Sequence, residues 1–108
     1  MSKPDGIIHQ AVRLKIMAAL NALEIGEQLE FTRLRAIVRS TDGNLGAHLV
    51  TLENAGYVTI IKDFIGRKPR TRVAMTRAGR KAFAEHVAYL RAILDSDATR
   101  ELIEGARS

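Results

Sequence analysis

Residues 42–58 read DGNLGAHLVTLENAGYV and contain the clearest structural signal in the chain. Three leucines recur at i, i+4 and i+7, which places them on one face of a helix: Leu45, Leu49 and Leu52. Thr41 or Asp42 can cap the start of this helix, and Gly56 stands where a left-handed residue commonly ends one. The segment therefore predicts a helix over residues 42–55 whose leucine face packs on a core.

A second face of the same helix is small or polar and contains no acidic side chain. Its members lie at i, i+3, i+4 and i+7: Asn44, Ala47, His48 and Thr51. Small residues permit close approach to a nucleic-acid groove, and Asn, Thr and His can hydrogen-bond base edges or phosphates. The helix N-terminus at Asp42 and Gly43 adds a partial positive charge that suits phosphate. We therefore expect these six residues to form a DNA-reading surface.

The segments on either side predict the remaining elements. Apolar spacings of three and four indicate a first helix over residues 7–24, and a polar connection over 27–30 leads to a short second helix capped by Thr32. After the third helix, residues 57–65 and 71–76 form a β-hairpin around a basic turn at 66–69. Thr76 can then cap a long helix over 77–94.

This order of elements predicts a mainly α (α+β) winged helix-turn-helix fold: a three-helix core, a β-hairpin wing and a long C-terminal helix. Residues 1–94 are expected to form one domain that includes a dimerisation helix. Residues 95–108 form a C-terminal tail, in which 98–106 are compatible with one short helix.

Positive charge is concentrated in the predicted wing and the helix after it. The 108 residues have a formal net charge of +5, yet eight bases and one acid between Lys62 and Lys81 give that stretch +7. Within the wing, residues 64–72, four bases are expected to contact DNA backbone or a minor groove: Arg67, Lys68, Arg70 and Arg72. The alternative interpretation is a charged hairpin that is merely solvated. Further candidates for phosphate contacts are Arg33, Arg35, Arg77, Arg80 and Lys81.

Composition excludes several other classes of protein. The chain has no cysteine, so it has no disulfide, thiolate metal site or thiol redox sensor. No apolar run is long enough to span a membrane and no secretory segment is recognisable, which predicts a cytoplasmic protein. No nucleophile–base pair or phosphate-binding loop stands out, so we expect no enzyme activity, cofactor or metal. Tyr57 and Phe64 are expected to pack in the core or the hairpin.

The chain resembles the small stand-alone winged-helix DNA-binding domains related to the MarR and ArsR groups of transcriptional regulators. The resemblance rests on RLKIMAAL within residues 9–20, LEFTRL at 29–34, the 42–58 segment and GRKPRTRVAMTRAGRKAF at 66–83. It implies a fold in which the third helix enters the major groove of double-stranded DNA, and it implies a dimer. The thiol switches of some relatives are excluded here, and the chain leaves little room for an effector pocket outside a dimer interface.

The first helix and the 77–94 helix contain more apolar surface than a monomer of this size needs. We therefore expect a two-fold homodimer, with these residues at its interface: Ile8, Val12, Val87, Leu90, Ile93 and Leu94. His9 and His86 are expected near that interface in a structural role rather than as a metal or pH sensor.

Three functions remain open from the sequence. The first is a sequence-specific transcriptional regulator that acts as a repressor, without an identified effector. The second is an architectural DNA-binding protein without sequence preference, for which the wing charge alone would suffice. The third is a winged helix used for protein–protein contact.

Overall fold

The structure, a computed structural model, describes residues 3–107, apart from the side chains of residues 96, 98 and 99. Within these residues it contains five helices and three strands, in the order expected for a winged helix. They are α1 (Ala11–Asn21), β1 (Leu29–Glu30), α2 (Phe31–Val38), α3 (Asp42–Asn54), β2 (Val58–Ile65), β3 (Lys68–Met75), α4 (Arg77–Leu94) and α5 (Ser96–Arg107). The predicted three-helix core, hairpin and long C-terminal helix are confirmed.

Helix α3 begins and ends at the predicted signals. The Thr41 hydroxyl oxygen accepts the amide of Asn44 at 3.2 Å, which satisfies one of the free N–H groups of the first turn. At the other end, Gly56 has a φ of 81°. The amide of Tyr57 donates to the carbonyl of Leu52 at 3.0 Å, and that of Gly56 to Glu53 at 2.9 Å. This pair of bonds is the Schellman motif, and it turns the chain directly into β2.

The wing is longer and its turn tighter than expected. β2 and β3 pair in register from Val58↔Met75 to Ile65↔Lys68, so only Gly66 and Arg67 remain in the turn. Gly66 has a φ of 60°, which a two-residue hairpin turn requires at its first position. The predicted four-residue tip was wrong because Pro69 can belong to the strand. In this register Phe64↔Pro69 is a non-hydrogen-bonded pair, and the proline nitrogen points away from β2.

A third strand completes the sheet in the order β1-β3-β2. Leu29 and Glu30, predicted to lie in a polar connection, pair with Val73 and Arg72. Two residues give no detectable alternation in the sequence, and only the neighbouring β3 defines them as a strand. They also change the start of α2, which begins at Phe31 with Glu30 as its N-cap rather than at Thr32.

The core lies between the leucine face of α3, helices α1 and α2, and the inner face of the hairpin. Its fully buried side chains include Ile16, Met17, Leu20, Leu34, Leu45, Leu49, Leu52 and Val73. Ile8 is also fully buried in this core. The expectation that Ile8 lies at a dimer interface was therefore wrong, because its side chain packs inside its own subunit.

The segment before α1 is a capped turn rather than the first turn of a longer helix. Asp5 Oδ1 accepts the amides of Ile7 at 2.8 Å and Ile8 at 3.0 Å. Its other carboxylate oxygen accepts the Tyr57 hydroxyl at 2.6 Å, and its own amide donates to Nδ1 of His86 at 3.0 Å. Asp5 thus joins the N-terminal segment to the start of the wing and to α4. His86 is fully buried in the subunit.

Helix α4 spans the predicted residues and is capped by Thr76, whose hydroxyl oxygen accepts the amide of Gly79 at 3.0 Å. Gly79 lies so close to the backbone of Tyr57 that a Cβ at this position would overlap the Tyr57 carbonyl. Beyond α4, helix α5 projects from the body of the domain. The Cα radius of gyration is 16.6 Å, against about 13 Å for a compact chain of this length.

Candidate nucleic-acid interface

The surface of α3 that faces away from the core has the composition expected for a DNA-reading surface. Asp42, Gly43, Asn44 and Ala47 are exposed, and His48 and Thr51 are half-buried. The Thr51 hydroxyl donates to the carbonyl of Ala47 at 3.2 Å, so its oxygen lone pairs stay available as acceptors. Asn44, Ala47, His48 and Thr51 thus share one accessible side of the helix. Asp42 lies nine residues before Thr51 and therefore points to the opposite side, towards Arg35 of α2.

Two residues of this surface were not predicted from the sequence. Val50 and Asn54 follow Gly43 and Ala47 at helical spacing, which places them at the centre of the exposed stripe opposite the leucines. Val50 is 50% exposed. Its position opposite the leucine face was the available signal, and its apolar side chain is of the kind that contacts a thymine methyl group.

Two glycines in α3 have no packing reason within the described residues. Gly43 and Gly46 would each accept a Cβ with no atom within 4 Å. A glycine inside a helix destabilises it by about 0.5–1 kcal/mol relative to alanine. Alanine would therefore fit at both positions within the described chain and would make the helix more stable. What the two glycines provide instead is a flat surface that another molecule can approach closely.

An ion-pair cluster occupies the outer face of the wing. Arg70 donates to both carboxylate oxygens of Asp63, at 2.9 and 2.8 Å, and Arg72 donates to one of them at 2.7 Å. The hydrogen bond from Arg70, with the charges of both arginines, lowers the pKa of Asp63 to about 2. The same carboxylate raises the pKa of Arg70.

The four bases predicted on the wing therefore fall into two groups. Arg70 and Arg72 are half-buried and paired with Asp63, whereas Arg67 and Lys68 are exposed at the tip. Lys62, which sequence reasoning counted in the basic stretch but not among the contact residues, is also exposed on β2. The accessible positive charge of the wing is thus carried by Lys62, Arg67 and Lys68.

The remaining candidate phosphate contacts differ in their surroundings. Arg33, Arg77 and Lys81 are exposed. Arg35 bonds to Asp42 at 2.6 Å, which joins α2 to the N-terminus of α3. Arg80 donates to Oδ1 of Asn21, the last residue of α1, at 3.4 Å and to the carbonyl of Leu23, just beyond that helix, at 3.1 Å. A phosphate contact by Arg80 would require these bonds to break.

Among the residues that the structure describes, no group of three or more His, Cys, Asp or Glu side chains is arranged to hold a metal ion. Nor is any of the described helices long and apolar enough to cross a membrane. The arrangement that does emerge is an accessible helix face beside a basic hairpin, and it defines a winged helix that binds nucleic acid.

Comparison with known proteins agrees with this class. The chain belongs to the family of winged helix DNA-binding domains, which matches residues 12–94. An uncharacterized protein of Methanocaldococcus jannaschii is 38% identical over 81 residues, which are 75% of this chain and 85% of that protein.

Solved structures share the fold. A transcriptional regulator homologue from Pyrococcus horikoshii superposes with a TM-score of 0.73 and 31% identity, covering 82% of this chain and 85% of that one. A PadR family transcriptional regulator from Eggerthella lenta gives a TM-score of 0.63 at 22% identity, over 91% of this chain and 89% of that one. The second likeness concerns the fold alone.

Proposed function

We propose that the chain is a sequence-specific regulator of transcription that places α3 in the major groove of double-stranded DNA and its wing on the adjacent backbone or minor groove. The observation that carries this proposal is the exposed stripe of α3. Its glycines, Ala47 and Val50 allow close approach, while Asn44, His48 and Thr51 supply hydrogen-bonding groups for base edges. The similarity to the Pyrococcus regulator homologue supports the same function.

Phosphate contacts come from bases that are accessible around this stripe. Lys62, Arg67 and Lys68 lie on the wing, and Arg33 and Arg77 lie at the starts of α2 and α4. Each phosphate that they neutralise is expected to steepen the log–log salt dependence of binding by about 0.9. Arg70 and Arg72 contribute less, because Asp63 already neutralises part of their charge.

The proposed regulator acts as a homodimer that represses by occluding a promoter. Apolar side chains remain exposed at the end of α4 and along α5: Leu94 at 81%, Leu102 at 65%, Ile103 at 47% and Ile93 at 41%. A second copy that covers them would also cover the half-buried Val12, Val87 and Leu90 at the margins of α1 and α4. Two-fold symmetry would then set the α3 helices about 34 Å apart, in successive major grooves.

Selection of bound sequences from a random DNA pool tests the proposed function. The expected result is an inverted repeat whose half-sites lie one helical turn apart and whose binding survives excess random DNA. Equal competition by random DNA would favour the architectural alternative, and no binding at low salt would favour a protein–protein role. Lys68→Ala is expected to lower the salt slope by about 0.9 for each wing, whereas Ile25→Ala, a change of an exposed residue outside the wing, leaves it unchanged.

Sedimentation equilibrium tests the dimer separately. Leu102→Glu places a charge on the apolar side of α5 and is expected to convert the dimer to monomer. Ile25→Glu is the matched control, because Ile25 is 87% exposed in the connection between α1 and β1. A wild-type chain that is monomeric at micromolar concentration, or a Leu102→Glu variant that still dimerises like the control, would contradict the proposed interface.

A further inference from the structure

The tip of the wing is apolar on both of its faces. Phe64 is 69% exposed and Ile65 is 58% exposed. Of the two places expected for Phe64, the core or the hairpin, its exposure excludes the core. Successive strand residues point to opposite faces. Phe64 therefore lies with its cross-strand partner Pro69 on one face, and Ile65 lies on the other face with Lys68.

The surroundings of this tip are cationic. Arg67 occupies the turn, and Lys62 and Lys68 are exposed on the two strands beside it. The acid of the hairpin, Asp63, is bound by Arg70 and Arg72. The tip therefore combines apolar side chains with basic side chains that have no acidic partner among the described residues. A polyanion with an apolar recess is complementary to this combination, whereas a neutral apolar surface is not.

The length of the hairpin also limits what the tip can reach. Ile60 packs against the core on the face that Phe64 shares, and Phe64 lies four residues further along β2. At about 3.3 Å per residue, Phe64 stands roughly 13 Å beyond Ile60. A major groove and the next minor groove are about half a helical turn apart, or roughly 17 Å. A two-stranded ribbon is wider than the minor groove, which is about 6 Å across, so only the side chains at the end of the two-residue turn can enter it.

We propose that Phe64 and Ile65 form an apolar wedge that enters the minor groove next to the major groove occupied by α3. Phe64 packs against the sugar walls and the edge of a base step, while Arg67 and Lys68 hold the flanking phosphates. This inference rests on the proposed DNA-binding function and extends it from electrostatic to apolar contact. Insertion of apolar side chains favours steps that unstack easily, so the wedge would contribute to sequence preference.

A single tryptophan at the tip reports the contact directly. The chain has no tryptophan, so Phe64→Trp supplies the only indole signal. The variant is mixed at low salt with a mixed-sequence duplex of about three helical turns, and acrylamide quenching is compared with and without DNA. Protection of the indole in the complex is expected. Vesicles containing phosphatidylserine form a second arm: protection by vesicles but not by DNA would assign the tip to a membrane surface and overturn the wedge.

Affinity measurements separate the wedge from phosphate contacts. Phe64→Ala is expected to weaken binding about tenfold, as truncation of a packed aromatic side chain at an interface commonly does, and to leave the salt slope unchanged. Lys68→Ala lowers the slope, and Ile25→Ala alters neither quantity. Phe64 is exposed, so far-ultraviolet circular dichroism is expected to show an unchanged fold.

The two proposals fail in different ways. If the wild-type chain binds DNA, but the indole of the Phe64→Trp variant stays accessible in the complex and Phe64→Ala binds as tightly as the wild type, the wedge is refuted and the proposed function stands. Failure of the wild-type chain to bind DNA refutes the proposed function itself.

Discussion

Replacing Gly79 with alanine is expected to loosen the joint between α4 and the start of the wing. A Cβ at this position would overlap the carbonyl of Tyr57, which is backbone and has little freedom to move. To make room, α4 must shift away from the segment that links α3 to β2. The change adds one methyl group, yet it acts on the packing of two elements.

The size of the effect follows from what that shift disrupts. The Thr76 amide donates to the Tyr57 carbonyl at 3.1 Å, and the Thr76 hydroxyl donates to the Gly56 carbonyl at 2.6 Å. Each such bond contributes about 0.5–1.5 kcal/mol to folding. Overpacking adds about 1–3 kcal/mol, and the better helix propensity of alanine offsets about 1 kcal/mol. A net loss of about 1–5 kcal/mol is expected, against the roughly 5–15 kcal/mol that stabilises a domain of this size.

Urea unfolding followed by far-ultraviolet circular dichroism measures this loss. A lower midpoint with an unchanged slope is expected, together with a fall in Tm of roughly 5–30 °C. Gly105→Ala in α5 is the matched control, and it is expected to be neutral or slightly stabilising. Among the described residues, a Cβ there would meet no atom within 4 Å other than those of its neighbours and its own helix backbone. A Gly79→Ala variant as stable as this control would refute the close contact between α4 and Tyr57.

Three further predictions concern the interface and its supports. Gly46→Ala is expected to raise stability by about 0.5–1 kcal/mol in urea unfolding while weakening DNA binding in gel shifts; tighter binding would contradict the proposed role of α3. Asp63→Asn removes the carboxylate charge with which both Arg70 and Arg72 pair, so affinity for random DNA should rise and its salt slope should steepen by up to about 1.8 for each wing. An unchanged slope would show that neither arginine reaches phosphate. Burial lowers the pKa of His86, and its Nδ1 accepts the Asp5 amide, so the folded state disfavours protonation. Stability is therefore expected to fall as the pH drops below about 6.5, the pKa of histidine in an unfolded chain. A urea midpoint that increases as the pH is lowered from 7 to 5 would contradict this.

Elements with local signals were predictable from the sequence. Thr41 and Gly56 delimit α3, and Thr76 starts α4, because each acts on backbone groups only a few residues away. The leucine face of α3 follows from spacing alone. The small, acid-free stripe opposite it was equally visible, and so was the concentration of bases in the hairpin.

Features that depend on distant residues were not predictable in this way. Leu29 and Glu30 form β1 because they pair with Val73 and Arg72. These partners come more than forty residues later in the chain. Ile8 satisfies the periodicity of a surface stripe as well as that of a core, and only packing against the other elements decides between them. The cross-strand register likewise determines that Arg70 and Arg72 meet Asp63, which changes how much of the basic stretch is accessible.

The bonds of Asp5 have a consequence for the geometry of the proposed operator. Asp5 hydrogen-bonds both to Tyr57, which lies between α3 and the wing, and to His86, in the middle of α4. These bonds connect the end of α3 to α4. In the proposed dimer, α4 lies near the two-fold axis and α3 contacts the DNA, so this fastening removes the hinge between them. The two reading helices are then held at a fixed separation. A protein built in this way measures the distance between half-sites, and an operator with one base pair inserted at its centre should be rejected even though both half-sites are intact.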